Sequence, residues 1–220
     1  MPFRCEEVLF SPTSDCNLSC PHCNSAKTKN KLSIKSAKKF LKSCKENGIK
    51  RIGFTGGEPF LAPAFLFSIT EFAVRQGFLF TTIMTNGVWY KDKARLRAIL
   101  EKLFSAGYDG SISISVDAYH AQSLKRIAYF IDSVVSIWRR PDMVSIFYVT
   151  GRDTQTKNKL SKLAGLLKAR LALSFPRKRE SINLSSRKRG TGNENPFPCH
   201  PRPFVIPRPC HSRESGNPET

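Results

Sequence analysis

The stretch Asp15-Cys16-Asn17-Leu18-Ser19-Cys20-Pro21-His22-Cys23 carries three cysteines at the spacing C-x3-C-x2-C. On one short loop, three sulfurs at this spacing can converge on a single small inorganic centre. The number three is informative. A structural zinc is closed by four ligands, and common ferredoxin clusters are held by four cysteines. Three thiolates leave one metal position open, and an open position is where chemistry on a second molecule takes place. The competing arrangement is a closed zinc knuckle with His22 or Asp15 as the fourth ligand.

A second group follows an apolar run: Gly56-Gly57-Glu58-Pro59. Glycines let a backbone approach a ligand closely, and a carboxylate can neutralise an amino group. Taken alone, the segment is equally a glycine turn with an exposed Glu. Ser115-Val116-Asp117 offers a hydroxyl and a carboxylate that can hydrogen-bond a diol, although an Asp there can equally cap the next helix. Thr85-Asn86-Gly87 can line a pocket or be a plain Asn-Gly turn. His120, close behind Asp117, is a further candidate; a lone histidine is more often a surface or helix-start residue.

Cys16-x3-Cys20-x2-Cys23 after an apolar strand, with Gly56-Gly57-Glu58-Pro59 one strand–helix unit later, resembles the radical S-adenosylmethionine (radical SAM) superfamily. The resemblance covers roughly residues 7 to 173. It implies that Cys16, Cys20 and Cys23 hold a 4Fe-4S cluster whose fourth iron is chelated by S-adenosyl-L-methionine. It also implies reductive cleavage of that cofactor to a 5′-deoxyadenosyl radical, which takes hydrogen from a substrate. By the same likeness Gly56, Gly57 and Glu58 receive the methionine end and His22 lies by the adenine. Ser115 and Asp117 are ribose candidates, and Asn86 lines the pocket. An electron donor such as flavodoxin or ferredoxin is implied.

These groups need a scaffold, and the chain supplies one in strict alternation. Glu7 to Phe10 suits a buried strand. Ser33 is an N-cap for a helix with Ile34, Ala37, Phe40, Leu41 and Cys44 on its apolar face and Gly48 past its end. Strands are expected at Ile49–Phe54, Phe78–Met84, Ser111–Val116 and Val144–Val149. Helices are expected at 63–76, 91–106, 122–139 and 158–173, with Pro63 in a first turn and Gly77, Gly107 and Pro141 as stops. Alternation of this kind means α/β: parallel strands covered by helices, with sites after the strand ends. The resemblance sharpens this to a partial βα (TIM-like) barrel, of which five βα units are recognisable. The family's fifth-strand glycine-rich segment has only a rough stand-in, Val149-Thr150-Gly151-Arg152, and its sixth strand is expected to be absent if the tail is not folded.

From Ser174 the grammar changes. Eight of the 14 prolines lie beyond it, without apolar periodicity. Phe175–Ser181 is echoed by Pro209–Ser215, and Pro196–His200 by Pro207–His211, as in a translated intergenic repeat. The division is therefore 1–173 as the radical SAM core and 174–220 as a basic, disordered tail. The echo accounts for Cys199-His200 and Cys210-His211 without chemistry; the alternative is an auxiliary metal site. On this reading the chain is a C-terminally truncated relative, less stable because a strand edge is exposed.

The net charge is +19. From Ser174 onward there are nine Lys/Arg and four Asp/Glu, so most of the excess belongs to the core. Such a surface suits an anionic substrate or partner, peptide or RNA, or is simply a solvated face, since no aromatic residues interleave a basic stripe. The sequence has no apolar run long enough for a membrane span and no signal peptide, so the expected place is the cytoplasm, where seven cysteines favour metal ligation over disulfides. The expected function is a radical SAM enzyme acting on an unidentified substrate. The alternatives are a zinc-binding, nucleic-acid-associated protein and an inactive truncated fragment.

Overall fold

The structure, a computed structural model, describes residues 5–23, 28–148 and 154–174. All of these fall in one compact unit. The stand-in segment after the fifth strand and the region 175–220, with its two Cys-His pairs, lie outside the described residues.

Among the described residues, five strands alternate with five α-helices: β1 (Glu7–Phe10), α1 (Ile34–Glu46), β2 (Arg51–Phe54), α2 (Pro63–Gln76), β3 (Leu79–Thr85), α3 (Lys93–Ser105), β4 (Ser111–Ser115), α4 (Leu124–Trp138), β5 (Val144–Phe147) and α5 (Thr154–Ser174). All four strand pairings are parallel, and the strand order in space is β1-β2-β3-β4-β5. A doubly wound sheet reverses its order at a switch point; this one does not, and it winds in one direction as a βα barrel does. Among the described residues β1 and β5 form its two ends, so the barrel is partial.

The two faces of the sheet differ in chemistry because side chains alternate along each strand. Phe10, Ile52, Phe54, Ile83, Ile112 and Ile114 are buried within the one hydrophobic cluster that also takes in the helices. Each such aliphatic side chain contributes about 1.5–3 kcal/mol on burial. The register places Leu9 beside Gly53 and aligns Met84, Ser113 and Ser145 across β3, β4 and β5 on the opposite face. That face mixes Leu9 and Met84 with Gly53 and two serines, and Met84, Ser113 and Ser145 on it are only half-buried.

Local signals set the helix ends. The Ser33 hydroxyl accepts the Ser36 N–H, and the Asp92 carboxylate accepts the Arg95 N–H at 2.7 Å. Gly77, with φ 76°, ends α2 in the left-handed region. Two details depart from the expected pattern. Phe40 is 51% exposed, because α1 buries the stripe Ala37, Leu41 and Cys44 and leaves Phe40 on its flank, its ring edge-on to Phe10. The last helix begins at Thr154, ahead of the expected Asn158.

Candidate functional site

The cysteine loop leaves the C-terminal end of β1 and is pinned at its base. The Thr13 hydroxyl donates to the Asn30 carbonyl and accepts the Asp15 N–H, while the Ser14 and Leu32 N–H groups bond Asn30 and Pro12 carbonyls. Within the loop the Cys23 N–H reaches the Cys20 carbonyl at 3.1 Å. Cys16 and Cys20 are half-buried and Cys23 is exposed. Cys44 is buried on α1, where burial is the main influence pushing its thiol up, so it belongs to the core as the periodicity indicates.

The Gly-Gly-Glu turn grips this loop. The Gly57 N–H donates to the Thr13 carbonyl at 3.0 Å and the Glu58 N–H to the Asp15 carbonyl at 2.7 Å. Gly56, at φ 120°, and Gly57 both lie where a β-carbon would collide: with Ser11 Oγ at 2.4 Å for the first and with the Asp15 main-chain oxygen at 2.2 Å for the second. The two motifs, far apart in sequence, are one object in space. The glycines are needed for that contact whatever else they bind.

Glu58 is placed differently from the expectation that its carboxylate neutralises a ligand's amino group. It is wholly buried. Its Oε1 accepts the Phe60 N–H and the Thr85 hydroxyl, and its Oε2 accepts the Asn86 N–H at 2.8 Å. Burial pushes the Glu58 carboxyl up to about 7, against the pull of these three donors. The side chain ties the turn to the end of β3, and what the segment presents outward is the exposed backbone of Gly56.

Asn86 is the hub. Its Oδ1 accepts the Val88 N–H at 2.9 Å. Its Nδ2 donates to Asn17 Oδ1 at 2.8 Å and to Cys16 Sγ at 3.8 Å. The Asn17 amide in turn donates to the Val88 carbonyl. Gln122 Nε2 donates to the carbonyls of both Asn86 and Ser115, locking the ends of β3 and β4 together. Asn86 thus supports the cysteine loop directly, where the sequence suggested a pocket wall or a plain turn. Ser115 is half-buried at the end of β4.

The third cluster joins His22, Asp117 and His120, with one ligand-type atom of each lying within 4.8 Å of the others. Asp117 is buried, and its Oδ1 accepts the N–H groups of Tyr119 and His120 and bonds His120 Nδ1 at 2.7 Å. Burial opposes its ionisation, but the bond and charge of His120 with the two N–H groups outweigh it and hold the carboxyl below the usual carboxylate range. Asp117 thus closes a local turn over Tyr119 and His120 and does not cap the next helix, α4, whose N-cap is Ser123. The His22 ring stands 4.9 Å from that of His120 and 5.2 Å from that of Tyr119. Lys159, from α5, donates to the carbonyls of Asp117 and His120. Burial lowers the Lys159 ammonium's affinity for its proton, with Asp117 and Cys20 pulling the other way. A fixed ammonium at this spot disfavours a second metal cation on the His22–Asp117–His120 group.

Asn17, Gln122 and Lys159 complete the site and carried no recognisable signal in the sequence, and the bond of Thr85 to Glu58 was not foreseen. Each acts through an amide, hydroxyl or ammonium whose partner lies tens of positions away. The donor set fits a metal centre with an open position: three loop thiols, a donor aimed at one sulfur, and no fourth cysteine on the loop.

A parallel, singly wound partial βα barrel, with a three-cysteine loop after its first strand and a Gly-Gly-Glu turn after its second, defines a cofactor-handling α/β protein. The chain belongs to the Radical SAM superfamily, whose family model matches residues 10–140. It is 39% identical over 90 residues to an S-adenosylmethionine-dependent nucleotide dehydratase of Siniperca chuatsi, covering 39% of this chain and 25% of that protein. It is 30% identical over 123 residues to a probable GTP 3',8-cyclase of Methanopyrus kandleri, covering 54% and 37%. It is 26% identical over 178 residues to the putative peptide biosynthesis protein YydG of Bacillus subtilis, covering 77% and 54%. The chain thus spans between a quarter and just over half the length of these relatives. No helix among the described residues is long and apolar enough to cross a membrane.

Proposed function

We propose that this chain binds a 4Fe-4S cluster through Cys16, Cys20 and Cys23 and S-adenosyl-L-methionine beside it, and acts as a radical SAM enzyme. The observation that carries this reading is the grip of Gly57 and Glu58 on the Thr13 and Asp15 carbonyls, which makes the cysteine loop and the Gly-Gly-Glu turn one rigid unit. When bound, the cluster supplies the electron that cleaves the sulfonium cofactor. The chain's own residues do the rest. The pinned loop base holds the three sulfurs on one short segment, Asn86 fixes Cys16, and the exposed backbone of Gly56 faces outward beside them. Preorganised backbone and dry surroundings are what a protein contributes to a reactive cofactor.

His22 and Ser115 are proposed as the nucleoside contacts, one from the loop and one from the end of β4. Asp117 would orient His120 at the same rim. The substrate is proposed to be anionic, in keeping with the charge of +19 and with relatives named for nucleotides and GTP as well as for a peptide. A low-potential carrier of the flavodoxin or ferredoxin class would deliver the electron. The test is anaerobic reconstitution followed by electron paramagnetic resonance of the reduced protein. About four irons per chain and a cluster signal that changes shape on adding S-adenosyl-L-methionine are expected. A colourless protein holding one zinc overturns the reading.

A further inference from the structure

The Asn86 amide has no freedom to turn over. Its Oδ1 must face the buried N–H of Val88, at 2.9 Å, so its two Nδ2 hydrogens point to Asn17 Oδ1 and Cys16 Sγ. The residue is 7% exposed, its N–H is held by Glu58 and its carbonyl by Gln122. A second donor, the Leu18 N–H, reaches the same sulfur at 3.4 Å but belongs to the loop itself and travels with it. The Asn86 donor is different, because it comes from the end of β3 and is anchored to the sheet. In the structure this sulfur is a thiol, standing in for the thiolate that would ligate iron.

We propose that Asn86 sets the reduction potential of the metal centre held by Cys16, acting through its side-chain N–H on the Cys16 sulfur. This rests on the proposed cluster. Reduction adds one electron and no proton, so negative charge on the cluster and its thiolates grows. A hydrogen bond to sulfur strengthens with that charge and favours the reduced state, raising the potential. The bond is part of the surroundings that tune a metal without ligating it. Asn86 is a positioning residue here, not a catalytic one, and its effect is on how readily the first electron enters.

The experiment is a redox titration of the reconstituted full chain, followed by electron paramagnetic resonance, for the unsubstituted protein and three variants. Asn86→Asp keeps the acceptor for the Val88 N–H but loses the donor. Asn86→Ser keeps a turn-forming hydroxyl that is too short to reach the sulfur, and it is neutral, so it serves if the charged variant assembles poorly. Gln122→Ala loosens the same hub without touching the donor. The expected result is a reduced-to-oxidised ratio, at fixed potential, several-fold to ten-fold lower in both Asn86 variants. Ten-fold is 59 mV for one electron. Gln122→Ala is expected to lower the unfolding temperature and leave the midpoint in place. Clusters in every variant with equal midpoints overturn this inference alone. A midpoint displaced by Gln122→Ala as far as by Asn86→Ser also overturns it, since that assigns the effect to looseness. An unsubstituted chain that takes up no iron–sulfur cluster overturns the proposed function and this inference together.

Discussion

The backbone of Asp15 occupies the space that a side chain on Gly57 would need: a β-carbon there would sit 2.2 Å from the Asp15 carbonyl oxygen. The glycine is a socket for the cysteine loop, and the Gly57 and Glu58 N–H groups close the joint.

Gly57→Ala should therefore displace the loop. Backbone cannot yield as a flexible side chain would, and overpacking of this kind costs about 1–3 kcal/mol. Thermal unfolding should show the loss. Iron retained after anaerobic reconstitution should fall several-fold, and a full complement of iron in the variant would contradict the joint.

Glu58 gives a pH signature. Its carboxyl is raised from 4.5 to about 7 in the folded chain. The folded value lies above the unfolded one, so the stability linked to its proton is fully present below the ordinary Glu range. It is lost as pH rises to about 7 and does not change further above that. The expected loss from this group is about 3 kcal/mol. Urea unfolding at pH 5 and pH 8 should show it, and Glu58→Gln should flatten the difference. The variant sets an amide N–H against the Asn86 N–H and should lower stability at the acid end by about 1–3 kcal/mol. Equal pH dependence in both proteins would count against the assignment.

Asp117 runs in the opposite sense. Its carboxyl is held below the usual range, so its contribution is present above that range and is lost as pH falls through the folded value. His120→Ala removes the side-chain partner and leaves the buried carboxylate two N–H donors. Acid unfolding monitored by circular dichroism should shift to higher pH, with about 1–2 kcal/mol lost at neutrality. An unmoved acid transition would mean that the 2.7 Å bond to His120 is not formed in solution.

Cys44 and Cys20 should separate cleanly. Cys44→Ala removes a buried sulfur from α1 and should cost about 1–2 kcal/mol with iron uptake unchanged. Cys20→Ala should leave the fold intact and abolish the cluster. Iron loss in the Cys44 variant would mean that the centre draws on the core.

The architecture was legible because its signals are local. Ser33, Asp92 and Gly77 cap or stop helices by contacts within a few residues, and the apolar runs of β1 to β5 identify buried strands. The three cysteines and the Gly-Gly-Glu turn were legible as types and spacing. How they serve each other was not. Nothing in the sequence near Glu58 shows that Thr85, Asn86 and Phe60 will consume its carboxylate, or that Gln122 will bridge two strand ends. The Glu58–Thr85, Glu58–Asn86 and Gln122–Asn86 bonds span 27, 28 and 36 positions, so only the folded sheet brings them together. The same holds for Phe40, whose hydrophobicity indicated the core although helix geometry leaves it half outside.

The account as a whole turns on cleavage chemistry at the three-cysteine loop. Reduced, oxygen-free protein carrying its cluster should convert S-adenosyl-L-methionine to 5′-deoxyadenosine and methionine, quantified by chromatography, and Cys20→Ala should produce neither. Cluster-loaded protein that leaves S-adenosyl-L-methionine intact, or a Cys20→Ala chain that cleaves it equally well, would contradict the account.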